Sequence, residues 1–272
     1  MSKTVLITGA SSGLGAAMAH FLAQKGYRVF VTLREGGANP FESLPEIQVL
    51  YMVVTEESSI EKAVRALRES HQISGLDVLI NNAGIVVDGP LELLSREDLY
   101  RQFAVNVFGV HAVCRHFLPL LKQNKGKIVN IGSMSARMAI PFLGAYGASK
   151  AALKQISWAL RLELKPWEVS VFHFELGNFP SSIWRKTSLD QNEQAYGAYW
   201  KFARNIKTLM ESRAQAFNPV SLLLNKTLQT IEGKNRAFNT ILGKDAFWRS
   251  ILTSLVPYKT LEKKLLKLLN AA

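Results

Sequence analysis

The sequence predicts an α/β fold with one doubly wound parallel sheet of about seven strands. Short apolar runs alternate with longer helical patterns from residue 4 onward, as in strands joined by helical crossovers. A glycine-rich loop follows the first run, and a polar pair followed by small residues comes after the fourth. Open sheets of this kind bind ligands beyond the carboxyl ends of their strands, so both loops indicate a binding edge. We expect one domain over 1–257 and a basic tail over 258–272.

The composition narrows the classes of protein that the chain can belong to. Its 272 residues are 48% hydrophobic, which excludes a disordered chain and allows a sizeable core. The single Cys114 excludes an internal disulfide and is typical of a reducing compartment. We expect that thiol to be packed in the core and the protein to be cytoplasmic. An apolar run begins almost at once, no signal peptide is expected, and no uninterrupted apolar stretch approaches the roughly 18 residues of a membrane span.

The formal net charge of +12 is distributed unevenly. Residues 1–100 carry 8 basic and 12 acidic side chains, whereas residues 201–272 carry 13 and 4. Such a basic excess can serve nucleic acid, anionic lipid or an acidic ligand. Zinc-ligand spacing, a helix-turn-helix pattern and Arg-rich tracts are not seen, so we predict no metal and no nucleic-acid partner.

The first strand, Thr4 to Thr8, leads into a loop with glycines at 9, 13 and 15 and then into a helix over 16–24. Such glycines let the backbone approach a pyrophosphate, which the helix N-terminus then holds. The spacing is GxxxGxG rather than the commoner GxGxxG. The plainer interpretation is a tight strand–helix turn, but the position after the first strand favours a dinucleotide site.

The second strand, Tyr27 to Leu33, ends without an acidic residue and is followed by Arg34. In dinucleotide folds an acid here binds the ribose of NAD, while an arginine accommodates the 2′-phosphate of NADP. The sequence therefore favours NADP(H) over NAD(H). Glu35 is a weak counter-argument, and the plainer interpretation makes Arg34 a solvated surface charge.

The middle of the chain supplies two further strands and a long helix. We predict strands over 48–54 and 76–80, with a helix between them over 58–71; the fourth strand runs into Asn81-Asn82-Ala83-Gly84. Ser95 is expected to cap a helix running to about Lys122. Asn106 lies on an apolar stretch of that helix, where a buried amide needs partners. A satisfied core amide and a functional role are equally compatible with it.

The fifth strand and the helix after it carry the strongest chemical signal. The strand covers 127–131, and Ser133 follows it. Tyr146 and Lys150 are four residues apart, which places them on one helix face. An ammonium beside a phenol favours the phenolate, so we predict a lowered pKa for Tyr146 and proton transfer near neutral pH. The plainer interpretation is a solvated pair on a surface helix.

The last third of the chain predicts a lid and a basic tail. A sixth strand covers 168–175 and a seventh 237–242, and the long segment 181–218 between them is polar and aromatic, as lids over binding sites are. Its aromatic residues are Trp184, Tyr196, Tyr199, Trp200 and Phe202. Apolar residues around 138–144 suggest a hydrophobic substrate. The tail 258–269 alternates leucines with lysines and is either a helix on the domain or a weak peripheral membrane contact.

Taken together, these motifs resemble the short-chain dehydrogenase/reductase family over roughly residues 3–180, and more loosely to about 255. The region around Arg34 and the aromatic lid look most like its hydroxysteroid and retinol dehydrogenase branch. The resemblance implies a Rossmann-like fold and an NADP(H)-dependent oxidoreductase acting on a secondary alcohol or ketone of a steroid-, retinoid- or lipid-like substrate. It also implies a homodimer or homotetramer paired through the long helices.

The resemblance also implies roles for individual residues. Tyr146 would be the general acid/base, Lys150 would lower its pKa and hold the nicotinamide ribose, and Ser133 would position the substrate oxygen. Asn106 would support a water in the proton relay. The implied cofactor-binding residues are Gly9, Ser11, Ser12, Gly13, Leu14, Gly15, Arg34, Asn82, Ala83, Gly84, Tyr146, Lys150, Gly177 and Phe179.

Two positions depart from the family pattern. Val53 stands where the family often has an adenine-contacting aspartate, and Leu176 precedes Gly177 where the family usually has proline. Without proline that loop lacks a fixed φ angle. The departures leave open an alternative function, a nucleotide-sensing or protein-binding module with little turnover. An intact Tyr146 and Lys150 favour the enzyme.

Overall fold

The computed structural model describes residues 2–181, 183, 193–214 and 216–270 of the chain. Its centre is a sheet of seven strands in the order β3-β2-β1-β4-β5-β6-β7, and every neighbouring pair is parallel. The strands are β1 Thr4–Ile7, β2 Arg28–Leu33, β3 Ile47–Tyr51, β4 Val78–Asn81, β5 Lys127–Ser133, β6 Ser170–Leu176 and β7 Asn239–Leu242. The predicted fold class and strand number are confirmed.

Helices cover both faces of this sheet. They are α1 Gly13–Gln24, α2 Glu57–Arg65, α3 Arg96–Phe103, α4 Val110–Gln123, α5 Gly144–Glu163, α6 Glu193–Tyr196, α7 Trp200–Ala214, α8 Val220–Ile231, α9 Lys244–Leu255 and α10 Tyr258–Asn270. The chain order reverses between β1 and β4, which places a crevice at the carboxyl ends of the central strands.

The core forms two apolar layers because strand side chains alternate between the two faces. Val5 and Ile7 of β1 point to the layer shared with α1 and α8, whereas Leu6 points to the layer shared with α2, α4 and α5. Burying one of these aliphatic side chains completely, rather than leaving it exposed, stabilises the folded state by about 1.5–3 kcal/mol. Cys114 is buried in the second layer, and burial raises the pKa of its thiol to about 12, so the predicted packed thiol is confirmed.

A row of polar side chains crosses the second layer. Asn81 on β4 donates to Asn130 on β5 at 2.8 Å, and Asn130 donates to the Ser157 hydroxyl on α5 at 2.8 Å. That hydroxyl lies 3.4 Å from Nδ1 of His173 on β6. All four side chains are buried, and Asn81, Asn130 and His173 stand in register. The row links three central strands directly beneath the binding edge.

Strand ends differ from the sequence prediction by a few residues. The third strand ends at Tyr51 rather than at 54, because the backbone N–H of Val53 donates to the Ser59 side chain instead of continuing the ladder. The fourth begins at Val78 and includes Asn81, so Asn81 belongs to the strand and its loop starts at Asn82. Ser133 is likewise the last residue of β5 rather than the residue after it.

The long helix after Ser95 is interrupted by a wider turn. Ser95 caps it as predicted, accepting from the Asp98 N–H at 3.0 Å while the Asp98 carboxylate accepts in return. Between α3 and α4, residues Ala104–Gly109 form a π-helical turn, and such turns are frequent at functional sites.

The same helix, Arg96–Gln123, is long and apolar enough to cross a membrane by length and composition, and among the described residues only this helix passes that test. Uninterrupted apolar runs alone do not reveal this helix, because polar residues interrupt its apolar stretch. Half of its most apolar window is buried in the domain, where Val113, Phe117 and Leu121 pack in the second core layer.

Candidate active site

The glycine loop after β1 is shaped by its neighbours. Gly9 and Gly13 have φ of +65° and +60°, a region that favours glycine. A Cβ on Gly9 would stand 2.7 Å from the Ala83 backbone, and one on Gly15 would stand 2.5 Å from the Asn82 amide. Gly9 lines the cleft described below, whereas Gly13 and Gly15 do not, so these two serve the turn and the packing of α1.

Asn82 joins the loop after β1 to the loop after β4. Its side-chain amide donates to the carbonyls of Thr8 and Gly9, both at 2.9 Å. The Thr8 hydroxyl accepts in return from the N–H groups of Asn82 and Ala83, at 3.0 and 3.1 Å. The two predicted binding loops are therefore one rigid unit at the sheet's topological switch.

The wall beside β2 and β3 carries Arg34. Its side chain is exposed and lines the same cleft as Gly9 and Ser11. Glu35 turns to Lys62 instead, at 3.7 Å on the surface. Val53 and Thr55 line the cleft beyond β3, so the position that departs from the family pattern does face it.

Ser133 and Tyr146 meet at the end of β5. Tyr146 lies in the first turn of α5 and is 5% exposed, and its side chain is hydrogen-bonded with that of Ser133. The Ser133 hydroxyl also accepts from the Ser135 N–H at 3.1 Å. The sequence prediction that these two side chains share one point in space holds in the structure.

The predicted lowering of the Tyr146 pKa is wrong for this structure. Burial raises the pKa of the phenol above its ordinary value, and the hydrogen bond with Ser133 only partly offsets that rise. Lys150 Nζ lies 5.9 Å from the Tyr146 ring centroid and donates to the Ile131 carbonyl at 2.9 Å. The ammonium is directed to the backbone, so desolvation of the phenol dominates.

Lys150 is buried in the same floor. Burial lowers the pKa of its ammonium to about 8, which still leaves most of it charged at pH 7. A Cβ on Gly84 would stand 3.8 Å from Lys150 Nζ and 3.3 Å from the Asn106 side-chain oxygen. Gly84 therefore leaves space open beside the ammonium.

Asn106 lies in the π-helical turn and is fully buried. Its oxygen accepts from the Ile85 N–H at 2.9 Å, and its amide donates to the Ile85 carbonyl at 3.0 Å and to the Ser149 hydroxyl at 3.1 Å. These contacts hold the segment after Gly84, and Asn106 does not line the cleft. The geometry fits the satisfied core amide, and the water-supporting role stays a prediction.

Gln102 is a site residue that the sequence analysis missed. It is fully buried, accepts from the Val87 N–H at 2.7 Å and donates to the Ile85 carbonyl at 3.0 Å. It thus continues the support that Asn106 gives to the same segment. The available signal was its spacing of four residues from Asn106 on one helix face.

The end of β6 is held by a buried ion triad. The Glu175 carboxylate is fully buried and pairs with Arg137 and Lys154, both at 2.5 Å. Although burial alone raises the pKa of Glu175, the hydrogen bonds and charges of the two cations together hold it below its ordinary value. The triad braces the segment after Ser133 against β6. Gly177 and Phe179, which lie two and four residues after Glu175, line the cleft as predicted.

The lid meets the cleft through aromatic contacts. Tyr196 lines the cleft and stacks on Phe142 with ring centroids 6.5 Å apart, and Tyr199 meets the same ring edge-on at 6.2 Å. Phe142 has a φ of +65°, a conformation that costs a non-glycine residue about 1 kcal/mol or more. The predicted lid residue Trp184 lies outside the residues that the structure describes.

The apolar residues around 138–144, which suggest a hydrophobic substrate in the sequence, do not line the cleft. Ile140 and Phe142 pack with Ala203 and Ile206 of α7 in a separate apolar cluster instead. Apolar residues that line the cleft beyond β4, near α3 and in the lid include Val86, Val87, Leu94, Phe179, Ile183 and Tyr196.

One cleft of about 830 Å³ runs along the carboxyl edge of the sheet. The predicted site residues that line it are Gly9, Ser11, Ser12, Leu14, Arg34, Asn82, Ala83, Gly84, Ser133, Tyr146, Lys150, Gly177 and Phe179. Away from it, Glu57, Glu61 and His116 bring ligand atoms within 4.8 Å of one another at the surface, and Glu57 is already paired with Arg115 at 2.6 Å.

Comparison with known proteins identifies the family of this chain. The sequence pattern of the family described as short chain dehydrogenase matches residues 3–192. The 3-ketodihydrosphingosine reductase of Bacteroides thetaiotaomicron is 34% identical over 246 residues, which span 89% of this chain and 88% of that protein. Human 17-beta-hydroxysteroid dehydrogenase type 2 is 36% identical over 241 residues, which span 80% of this chain and 62% of that protein.

Solved structures agree with the fold. A short-chain dehydrogenase from Streptomyces avermitilis superposes with a TM-score of 0.78 at 23% identity, covering 97% of this chain and 98% of that chain. One from Burkholderia cenocepacia, solved in complex with NADP, superposes with a TM-score of 0.74 at 24% identity and the same coverage. The chain therefore belongs to the short-chain dehydrogenase family, a family of oxidoreductases that bind a nicotinamide cofactor, and resembles its hydroxysteroid dehydrogenase branch.

Proposed function

We propose that this protein is an NADP(H)-dependent oxidoreductase that acts on a secondary alcohol or ketone of a hydrophobic substrate, with Tyr146 as general acid/base. One observation carries the proposal: Tyr146, Ser133 and Lys150 meet in the floor of a cleft whose other end is lined by the glycine loop and Arg34. A proton donor and a dinucleotide cradle thus share one space.

The residues present fit a dinucleotide. Gly9 and Gly84 line the cleft without side chains, and α1 begins beside it at Gly13. The free N–H groups at a helix N-terminus favour a negatively charged group such as a pyrophosphate. Arg34 lies at the β2 end, where a 2′-phosphate would be accommodated. When bound there, NADP(H) would supply or accept the hydride.

Tyr146 would handle the proton. Because burial raises the pKa of its phenol, Tyr146 is protonated at neutral pH, which is the form that reduction of a ketone requires. Ser133, hydrogen-bonded with that phenol, would hold the substrate oxygen beside it. Lys150 would stabilise the phenolate left after the proton is given, since an ammonium in a water-poor site favours developing negative charge.

The substrate class rests on the cleft lining and on the relatives. The lining at the lid end is mostly aliphatic and aromatic, which suits an apolar body more than a sugar or an amino acid. The relatives' names refer to a ketodihydrosphingosine and to a hydroxysteroid. We therefore favour a lipid- or steroid-like ketone, with retinoids as a further candidate.

Replacing Tyr146 by phenylalanine tests the proposal. The ring stays and the proton donor is lost, so kcat for reduction of hydrophobic ketones with NADPH should fall by about 10²–10⁴-fold. The affinity for NADPH, followed by nicotinamide fluorescence, should change little. Tyr258→Phe removes a hydroxyl from an exposed tyrosine and is the matched control.

Two outcomes would contradict the proposal. Near-normal kcat in Tyr146→Phe would remove Tyr146 from the chemistry. NADPH binding by the unaltered protein without reduction of any ketone in a panel of steroids, retinoids and lipid ketones would favour the nucleotide-sensing alternative.

A further inference from the structure

Two side chains far apart in the sequence hold the loop that follows β6. Asp245, in the first turn of α9, accepts from the Asn178 N–H at 3.0 Å through one carboxylate oxygen. Its other oxygen accepts from the Asn218 amide at 2.7 Å. Asn218 donates in turn to the Asn178 carbonyl, from its backbone at 2.8 Å and from its side chain at 2.9 Å. We call Asn178, Asn218 and Asp245 the neck clasp.

The neck clasp fills the space around two glycines. A Cβ on Gly177 would overlap the Asp245 carboxylate, and a Cβ on Gly243 would stand 2.5 Å from the Asn218 amide. Gly243 also has a φ of +109°, which favours glycine. Asn218 is buried, and its oxygen accepts from the Lys244 N–H at 3.1 Å. The loop after β6 and the start of α9 are thus fitted to each other with little room to shift.

The neck clasp constrains the backbone of a loop that lacks the proline usual in the family. A proline at position 176 would fix one backbone angle, and leucine does not. Here both polar groups of the Asn178 backbone are fixed by hydrogen bonds instead, and Gly177 donates to the Leu242 carbonyl at 2.8 Å. Hydrogen bonds to a charged acceptor are among the stronger ones, so we expect Asp245 to contribute more to holding the loop than the other two residues of the neck clasp.

The clasp lies at one end of the cleft. Arg34 follows β2 and Gly177 follows β6, four strands along the sheet, which is about 19 Å at the usual strand spacing of about 4.8 Å. If the adenosine half of the cofactor lies beside Arg34, the nicotinamide half lies beside Tyr146, Gly177 and Phe179.

We infer that Asp245 and Asn218 are positioning residues that hold the loop 177–179 against the nicotinamide half of the cofactor. The inference rests on the proposed function, because it assigns a partner to that loop. It predicts different effects at the two ends of the cleft. Loss of the neck clasp should weaken the binding of the nicotinamide half of NADPH and leave the binding of the adenosine half unchanged.

The test compares Asp245→Ala with Asp245→Asn, which keeps the shape and one acceptor. Dissociation constants are measured for NADPH and for 2′,5′-ADP, which carries only the adenosine half with its 2′-phosphate. Asp245→Ala should weaken NADPH binding by about 10-fold or more, because charge-assisted hydrogen bonds are lost, and should change 2′,5′-ADP binding by less than about twofold. Asp245→Asn should lie between Asp245→Ala and the unaltered protein.

Glu163→Ala is the matched control, since it removes an exposed acid near the far end of α5, about 26 Å along the helix from Tyr146. Equal weakening of both ligands, or unchanged NADPH binding with only a lower thermal midpoint, would overturn the inference and leave the clasp a structural feature. If the unaltered protein bound neither ligand, the proposed cofactor site itself would be refuted, and the inference with it.

Discussion

His173 is a buried histidine with an unusual proton affinity. Burial lowers the pKa of its imidazole to about 3, and Nε2 has no hydrogen-bond partner among the described residues. Nδ1 faces the Ser157 hydroxyl, and the ring stacks on Phe238 at 6.3 Å. The neutral imidazole therefore belongs to the packed core rather than to the chemistry of the cleft.

This burial predicts a pH-dependent stability. The unfolded chain takes up the proton near pH 6.5 and the folded protein only near 3, so stability is lost as the pH falls between them, at about 1.4 kcal/mol per pH unit. Glu175 acts in the same direction at lower pH, because its pKa is held below the ordinary value in the fold. Denaturant unfolding of His173→Gln should show a shallower acid slope above about pH 5.

The exposed His111 gives the control, since His111→Gln should keep the original slope. A His173→Gln variant with the same acid slope as the unaltered protein would show that this imidazole titrates normally in the fold.

Arg34 is the residue from which we predict the choice of cofactor. A charge-assisted contact with a 2′-phosphate predicts a preference for NADPH over NADH of about 10–150-fold. Arg34→Ala should erode that preference mainly by weakening NADPH, while Arg68→Ala, which removes an exposed arginine after α2, should not. Equal dissociation constants for NADPH and NADH in the unaltered protein would contradict the assignment.

Among the elements, α10 combines two properties. Leu265 packs against the apolar cluster of Phe142, Ala203 and Ile206, which we call the lid cluster, so part of the leucine face covers the protein's own lid. The opposite side exposes Lys259, Lys263, Lys264 and Lys267, and the neighbouring Leu255 and Tyr258 are strongly exposed. The structure thus supports the packing interpretation that the sequence left open, and the four lysines are exposed to solvent.

We expect both roles to be separable. We expect the protein to co-sediment weakly with anionic vesicles, and less so at high salt. Changing the four lysines to glutamine should weaken this vesicle binding by about 10-fold or more and leave the thermal midpoint unchanged. Truncation after Pro257 should also lower the thermal midpoint, because the lid cluster loses Leu265. Intact protein that ignores anionic vesicles at low salt would refute the membrane contact.

For the molecule as a whole, the sequence was most informative where a signal is local. Apolar runs predicted all seven strands, and the Tyr146–Lys150 spacing placed two side chains on one face because helix geometry depends only on neighbours. Gln102 and the neck clasp were missed because their partners lie 15 to 67 residues away. The pKa of Tyr146 was misjudged for a related reason: burial depends on the whole fold, and a pair of residues does not reveal it.

The neck clasp has a consequence for how such a protein can change over evolutionary time. The segment between β6 and α8 begins at Asn178 and closes at Asn218, and these two residues are hydrogen-bonded to each other. A segment whose two ends are fixed together behaves as a cassette, since a change in its length costs only a small closure entropy and moves no strand. New substrate preferences can then arise by exchanging the cassette, while the cradle for the cofactor is inherited unchanged.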